Sequence, residues 1–462
     1  MPRGNSAASR DIAFHLHPYT HLKKHESEGP LVITEGKGIY VYDENGKEYI
    51  EGMSGLWCAS LGFGEERLVE AATRQMRRLP FYHGFNQKAH ELAGALAERL
   101  IALMPVPMSK VFFNNSGSEA NDSAVKMVWY YNNALGRHRK KKIIGRLKGY
   151  HGVTVAAASL TGLPNNHREF DLPLPQMRHA DCPHHYRYAK PGESEEVFAT
   201  RLAESLEAQI QREDPETVAA FIAEPVMGAG GVIVPPKTYF EKIQKVLRKY
   251  DVLLIADEVI CGFGRTGKMF GSETFAMTPD IMTMAKALSS AYLPISATVI
   301  SEPLYRAFVQ QSEKIGVFAH GFTYSAHPAC CAVALETLKI YEERDILGHV
   351  QRVSPALQNG LRRFAAHPLV GEVRGIGLLA GVELVKDKAT KTPFDPKEGV
   401  GALLQVRAQE HGLILRAMVD TIALCPPLII SADEIEEMLR RFGRALDDTA
   451  KALAETGLAS VA

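Results

Sequence analysis

Between Leu253 and Lys286 this chain of 462 residues carries two short apolar runs that each end on charge. Leu253-Leu254-Ile255-Ala256 has the length and apolarity of a strand buried on both faces, and it stops at Asp257-Glu258. A carboxylate at the tip of a buried strand is costly unless a cation or a donor meets it there. After the turn Gly262-Phe263-Gly264-Arg265-Thr266-Gly267, a second run, Asp280-Ile281-Met282-Thr283-Met284-Ala285, ends on Lys286. An acidic and a basic strand tip thus fall on what is expected to be one carboxyl edge of a sheet, where open α/β folds bind ligands.

Three arrangements satisfy such a pair. One is an ion pair closing a loop. The second is a dinucleotide site, because Gly262, Gly264 and Gly267 spell G-x-G-x-x-G. A Rossmann turn opens a helix, however, and Lys268-Met269-Phe270-Gly271-Ser272 lacks a helical apolar period. The third is a pyridoxal phosphate site, where a lysine forms a Schiff base and an aspartate holds the pyridinium nitrogen.

The order of strand, Asp-Glu-Val, Gly-x-Gly-Arg-x-Gly, Pro-Asp and Ala-Lys resembles the signature of class III aminotransferases, pyridoxal phosphate enzymes of fold type I. The resemblance covers nearly the whole chain and points to the omega (amine:pyruvate) transaminases. It implies an α/β fold: a large domain with a mixed, mostly parallel sheet and a smaller α+β domain built from both termini. The expected division is residues 1–60 joining the small domain, 61–330 binding the cofactor, and 331–462 completing the small domain.

Other stretches fit this frame. Glu44-Asn45-Gly46 between two β-rich runs reads as a hairpin turn. The apolar period Leu92, Leu96, Leu100, Leu103 reads as a helix that Pro105 stops. A strand at Val111-Phe112-Phe113 leads through Ser116-Gly117-Ser118-Glu119-Ala120 into a helix read from Asn121 to Tyr131. A small-residue turn at a helix start is either ordinary capping or an anion cradle; the resemblance makes it the phosphate cup. Val218 to Ala223 reads as a buried strand ending on Glu224, followed by Gly228-Ala229-Gly230-Gly231. Ser431 and Glu434 form a capping box for a helix to Leu446.

By the same resemblance, Lys286 carries pyridoxal 5'-phosphate covalently and moves the substrate proton, and Asp257 keeps the pyridine nitrogen protonated. Ser116, Gly117, Ser118, Tyr150, His151, Gly152, Glu224 and Val259 complete the cofactor site. Phe322 and Thr323, in His320-Gly321-Phe322-Thr323-Tyr324, are expected to reach the cofactor phosphate of a partner subunit, which implies a homodimer with shared sites or a dimer of such dimers. Tyr19, Trp57, Phe85, Tyr150 and Ala229 are expected to shape the substrate pocket, with Arg416 as the carboxylate clamp. Trp57 is equally readable as a core residue, and Arg416 as a strand-end surface arginine. The implied reaction moves an amino group by a ping-pong route to pyruvate or a similar keto acid. The donor is a primary amine: an omega-amino acid, a polyamine, taurine or an aryl-alkyl amine.

Composition narrows the remaining classes. Lys plus Arg equals Asp plus Glu at 53 each, so bulk charge favours neither nucleic acid nor a membrane surface. The basic run Arg137 to Lys142 is expected to be a solvated turn. Met1 to Arg10 lacks the apolar core of a signal peptide. The six cysteines show no C-x-x-C and are expected to be free thiols in a reducing, cytoplasmic setting. His179, Asp181, Cys182, His184 and His185 offer metal-binding side chains, but their spacing matches no standard zinc pattern, and no metal is expected there.

Overall fold

The structure, a computed structural model, describes residues 5–457. Residues 1–4 of the stretch read for a leader, and the last five residues of the expected C-terminal domain, lie outside the described residues. Two short helices, Ala7–Phe14 and Leu22–Glu28, precede the first strands. Ser6 and His21, whose side chains accept from Ser9 N–H and Lys24 N–H, start these helices, which sequence reading does not anticipate.

Strands β1 (Ile33–Lys37), β2 (Tyr40–Asp43) and β3 (Glu48–Glu51) form an antiparallel meander, with the predicted Asn-Gly turn between β2 and β3. Next come β4 (Lys110–Asn114), β5 (Lys142–Arg146), β6 (Met177–Ala180), β7 (Val218–Ala223), β8 (Leu253–Asp257), β9 (Ile281–Met284) and β10 (Ser296–Ile300). They make one seven-stranded sheet in the order β4-β10-β9-β8-β7-β5-β6. Strands β7, β8, β9 and β10 are buried at every residue, as covered strands of Val, Ile, Leu and Ala require.

All neighbours from β9 to β6 run parallel. Strand β10 is antiparallel to both β9 and β4. The chain therefore leaves β4, β5, β7, β8 and β9 at one edge of the sheet and enters β10 there. That edge collects the cup, Tyr150, Glu224, Asp257 and Lys286.

The remaining strands are β11 (Val370–Ile376), β12 (Leu379–Leu384), β13 (Leu413–Ile414), β14 (Arg416–Met418) and β15 (Thr421–Leu424). Strands β11, β12, β15 and β14 form a second sheet, whereas β13 pairs in parallel with β3, Leu413 opposite Ile50. The small domain is thus joined from both ends of the chain. The helix Ala432–Glu455 covers it, starting at the Ser431/Glu434 capping box. Its buried side chains Ile435, Met438, Leu439, Phe442 and Leu446 recur at helical spacing on one face.

The basic run is an exposed turn at Arg137, His138 and Arg139, as read, but not beyond them. Lys142 lies in β5 and pairs with Glu213, Arg137 pairs with Asp251, and the nearly buried Lys140 donates to Tyr250 O. All six cysteines are free, five of them buried. Among the described residues no helix is long and apolar enough to cross a membrane.

Candidate active site

Asp257 is 3% exposed at the tip of β8, so its charge must be met by neighbours. Its Oδ2 accepts from Asn121 Nδ2 and from His151 Nδ1, each at 2.8 Å, and its Oδ1 accepts from Val259 N–H at 3.1 Å. Asn121 also donates to His151 O at 2.6 Å, while its Oδ1 accepts from Thr283 Oγ1 at 2.8 Å. Thr283 faces Asp257 across the β8/β9 ladder. A helix, a loop and a neighbouring strand therefore fix one carboxylate. The buried Nε2 of His151 makes no hydrogen bond, so among the described residues Asp257 is the ring's one hydrogen-bond partner.

Lys286 follows β9 at φ 49°, a left-handed conformation that is uncommon for a lysine and turns the chain sharply out of the strand. Among the described residues its amine has no hydrogen-bond or ion-pair partner. Burial lowers its pKa from the ordinary lysine value, and the charge of Asp257 only partly opposes that. The neutral, nucleophilic form of this amine is thereby easier to reach than that of a solvated lysine.

Both groups line a cavity of 370 Å³ together with the cup. The cup helix runs Gly117–Ala134, starting earlier than the sequence reading of Asn121. Ser116 caps it, its Oγ accepting from Glu119 N–H at 3.2 Å, while Glu119 reaches back to Asn115 N–H at 2.7 Å. Gly117 and Ser118 thus lie in the first turn, where backbone N–H groups lack intrahelical acceptors and the helix dipole favours an anion. Two glycines are dictated by close approach. A Cβ on Gly152, at φ +137°, would lie 2.4 Å from Ser118 Oγ, and one on Gly117 would lie 2.9 Å from Val259 Cγ1.

Glu224 stands at the same edge, accepting from Tyr150 N–H at 3.0 Å and Gly228 N–H at 2.9 Å. It thereby fixes the loop that carries Tyr150, and burial raises its pKa. Burial first, then the Tyr19 hydroxyl, raises the pKa of the Tyr150 phenol. Tyr19, at φ 48°, also accepts from Asn166 Nδ2 at 2.5 Å.

The cavity contains every residue predicted for the cofactor from the same chain: Ser116, Gly117, Ser118, Tyr150, His151, Gly152, Glu224, Asp257, Val259 and Lys286. Phe322 and Thr323 do not line it; Thr323 is exposed, and the ring of Phe85 packs on the neighbouring Gly321. Trp57 is 3% exposed and packs with Met53, Val226, Ile260 and Cys425. Ala229 is half-buried in the turn after Glu224. Arg416 opens β14 half-buried, close enough to Tyr150 to act on it electrostatically, and has no hydrogen-bond or ion-pair partner among the described residues.

Sequence reading missed Asn121. Its signal was the polar run Asn121-Asp122-Ser123 inside a helix, of which Asn121 and Ser123 are buried. The metal-like loop disperses to separate partners. His179 and His185 meet backbone carbonyls, Asp181 accepts from Ser205, and His184 meets Glu372, which Arg374 also engages.

The family model for aminotransferase class III matches residues 22–446. The chain is a class III aminotransferase. It is 55% identical over 421 residues to gamma aminobutyrate transaminase 3, chloroplastic, of Solanum lycopersicum, covering 91% of this chain and 81% of that protein. It is 53% identical over 457 residues to gamma-aminobutyrate transaminase 1, mitochondrial, of Oryza sativa subsp. japonica, covering 98% and 89%. Among solved structures, the omega transaminase from Pseudomonas jessenii in complex with PMP superposes with a TM-score of 0.96 at 58% identity, covering 97% of this chain and 99% of that one.

Class III aminotransferases use pyridoxal phosphate, and the residues present fit it. The cavity presents an unpaired amine, a fixed carboxylate, and a helix start with free N–H groups. These match the cofactor's carbonyl carbon, its ring nitrogen and its phosphate.

Proposed function

We propose that this class III aminotransferase moves the amino group of a primary amine, an omega-amino acid foremost, to pyruvate or a similar keto acid by a ping-pong route. The observation that supports this reading is Arg416, a half-buried guanidinium beside Tyr150 that has no hydrogen-bond or ion-pair partner among the described residues. A cation in that condition is satisfied by a substrate carboxylate, and arginine can grip one with two parallel hydrogen bonds. Both an omega-amino acid and a keto acid bring such a group. The relatives named gamma-aminobutyrate transaminases support the first. Among structural neighbours, an omega transaminase variant engineered for asymmetric synthesis of enantiopure bulky amines carries changes at a tryptophan, a phenylalanine and an arginine. Those are the residue types of Trp57, Phe85 and Arg416, which supports their place around the substrate.

Bound pyridoxal phosphate supplies a carbonyl that accepts the amino group and a ring that takes up the electron pair. Lys286 Nζ, whose neutral form burial favours, is the base that would take the proton from the substrate carbon and hand it back on the far side of the transferred nitrogen. Asp257 holds a proton on the ring nitrogen. Its Oδ2 is filled by two donors, whereas Oδ1 accepts only from Val259 N–H and keeps one acceptor site. Glu224 fixes the backbone at Tyr150, so the phenol ring has a set position over the cavity. Two subunits complete two sites, with the exposed Thr323 of each chain serving the cup of the other.

Arg416→Ala tests the reading by separating the half-reactions. A charge-assisted bidentate pair contributes about 1.5 to 3 kcal/mol, so the pyruvate half-reaction should weaken by one to two orders of magnitude. Single-turnover deamination of an aryl-ethylamine should change only a few-fold. Equal losses in both would assign Arg416 to the fold and withdraw the keto-acid reading.

A further inference from the structure

Four imidazole and carboxylate side chains of the N-terminal segment converge away from the catalytic groups. Asp11 lies on the helix Ala7–Phe14, and His15 is its C-cap, one turn on. His17 follows two residues later, and His25 lies in the last turn of the helix Leu22–Glu28. Asp11 Oδ1 is 3.0 Å from His15 Nδ1, and Asp11 Oδ2 is 2.5 Å from His17 Nε2 and 3.3 Å from His25 Nε2. The rings themselves are close: centroids lie 4.5 Å apart for His15 and His17, and 4.1 Å for His17 and His25.

His25 is the telling member. Its side chain is 8% exposed, and its Nε2 is buried without a hydrogen bond although it is directed at the cluster. Oδ2 already takes the His17 contact, so a second nitrogen at 3.3 Å in poor hydrogen-bond geometry is either a lone pair facing a carboxylate or an unmet donor. Each is unfavourable when buried. A divalent cation between these atoms would satisfy all of them. The ligand atoms of Asp11, His15 and His17 already lie within 4.8 Å of one another, and His25 joins that group through Asp11 Oδ2 at 3.3 Å. A tetrahedral zinc with bonds of about 2.0 Å needs its ligand atoms roughly 3.3 Å apart. His21, in the same segment, has a separate task, capping the second helix through Lys24 N–H.

We propose that Asp11, His15, His17 and His25 form a site for a zinc-class divalent cation that ties the two N-terminal helices together. Three neutral imidazoles and one carboxylate suit zinc in ligand type and number, whereas calcium and magnesium take oxygen ligands. The ligands bracket the loop that carries Tyr19, whose hydroxyl meets Asn166 and Tyr150 at the substrate pocket. A bound cation would therefore fix the pocket wall formed by Tyr19. This second step rests on the aminotransferase reading of that pocket; the binding step does not.

The test uses untagged holoenzyme freed of unbound cofactor, titrated with Zn²⁺ by calorimetry against a chromophoric chelator. One ion per chain is expected, with affinity falling more than about 100-fold in the double variant Asp11→Ala/His17→Ala, since loss of outer-shell partners alone costs 10–100-fold. The variant His21→Ala should bind as the parent does. Equal binding by parent and double variant would overturn the site. Should the double variant fail to fold, Co²⁺ added to the parent decides. Intense visible bands of a four-coordinate ion are expected, and only the weak bands of six-coordinate cobalt would overturn the proposal. Metal-free and zinc-saturated parent enzymes should then differ several-fold in KM for the amine at similar kcat. An unchanged KM would overturn the link to Tyr19 while leaving the site itself standing.

Discussion

Replacing Asp257 by Asn isolates one charge in a surrounding that is otherwise fully specified. At about 4 Å and an effective dielectric near 20, the aspartate–pyridinium pair contributes about 4 kcal/mol, or close to three pKa units on the ring nitrogen. Losing it should lower kcat/KM roughly 1000-fold. The hydrogen bonds add a second cost. An amide nitrogen in place of Oδ2 meets the Asn121 Nδ2 donor, and in place of Oδ1 it meets Val259 N–H. Either orientation sets donor against donor in a site that is 3% exposed. The cofactor-free variant should therefore lose about 1–3 kcal/mol of stability. Steady-state transamination at saturating cofactor measures the first effect, with occupancy read from cofactor absorbance. Denaturant unfolding of the cofactor-free protein measures the second. A variant that binds cofactor and loses less than about tenfold in rate would refute the role of this carboxylate. Unaltered stability would refute the account of its hydrogen bonds.

Two further outcomes follow from the same groups. An unfolded lysine keeps its proton to about pH 10.4, whereas burial makes folded Lys286 release it earlier. Between those values the unfolded chain binds more protons, so the stability of the cofactor-free enzyme rises with pH. Lys286→Met should abolish turnover and raise the melting temperature most at neutral pH, an advantage that shrinks toward pH 10; a pH-independent difference would contradict the buried amine. Mixed dimers of inactive Lys286→Ala and Thr323→Ala chains should regain activity at one site in two if Thr323 serves the partner's cup. Activity no higher than in the separate variants would place Thr323 at its own subunit's service.

Covered parallel strands announce themselves because both faces must be apolar. For that reason the runs ending on Asp257, Lys286 and Glu224 were legible, and so was the edge on which they meet. The cup was legible in position, but its helix was placed four residues late. Ser116 and Glu119 cap through contacts with Asn115 and each other, and Gly-Ser has no apolar period to reveal a first turn. Asn121 was illegible because its role depends on Asp257 and Thr283, 136 and 162 residues away along the chain. The N-terminal helices were missed since they bury no residue fully and so carry no core stripe. Trp57 shows the opposite limit. A large aromatic suits both a core and a pocket, and only its packing against Met53, Val226 and Cys425 shows how far it is enclosed.

The pairing of β3 with β13 bears on how this enzyme is made. Ile50 finds Leu413 only after all the chain between them, more than three quarters of the 462 residues, has left the ribosome. Until then the meander presents an open edge, with the backbone groups of Glu48 to Glu51 available to any other strand. Arg416 lies two residues beyond the end of β13. The seven-stranded sheet, with Lys286 and Asp257, can assemble while the arm bearing Arg416 is still unmade. Nascent chains should thus reach cofactor competence before substrate competence, with an exposed strand edge in the interval. Chains interrupted ahead of residue 413 would keep that edge permanently, which makes them the species most prone to aggregate.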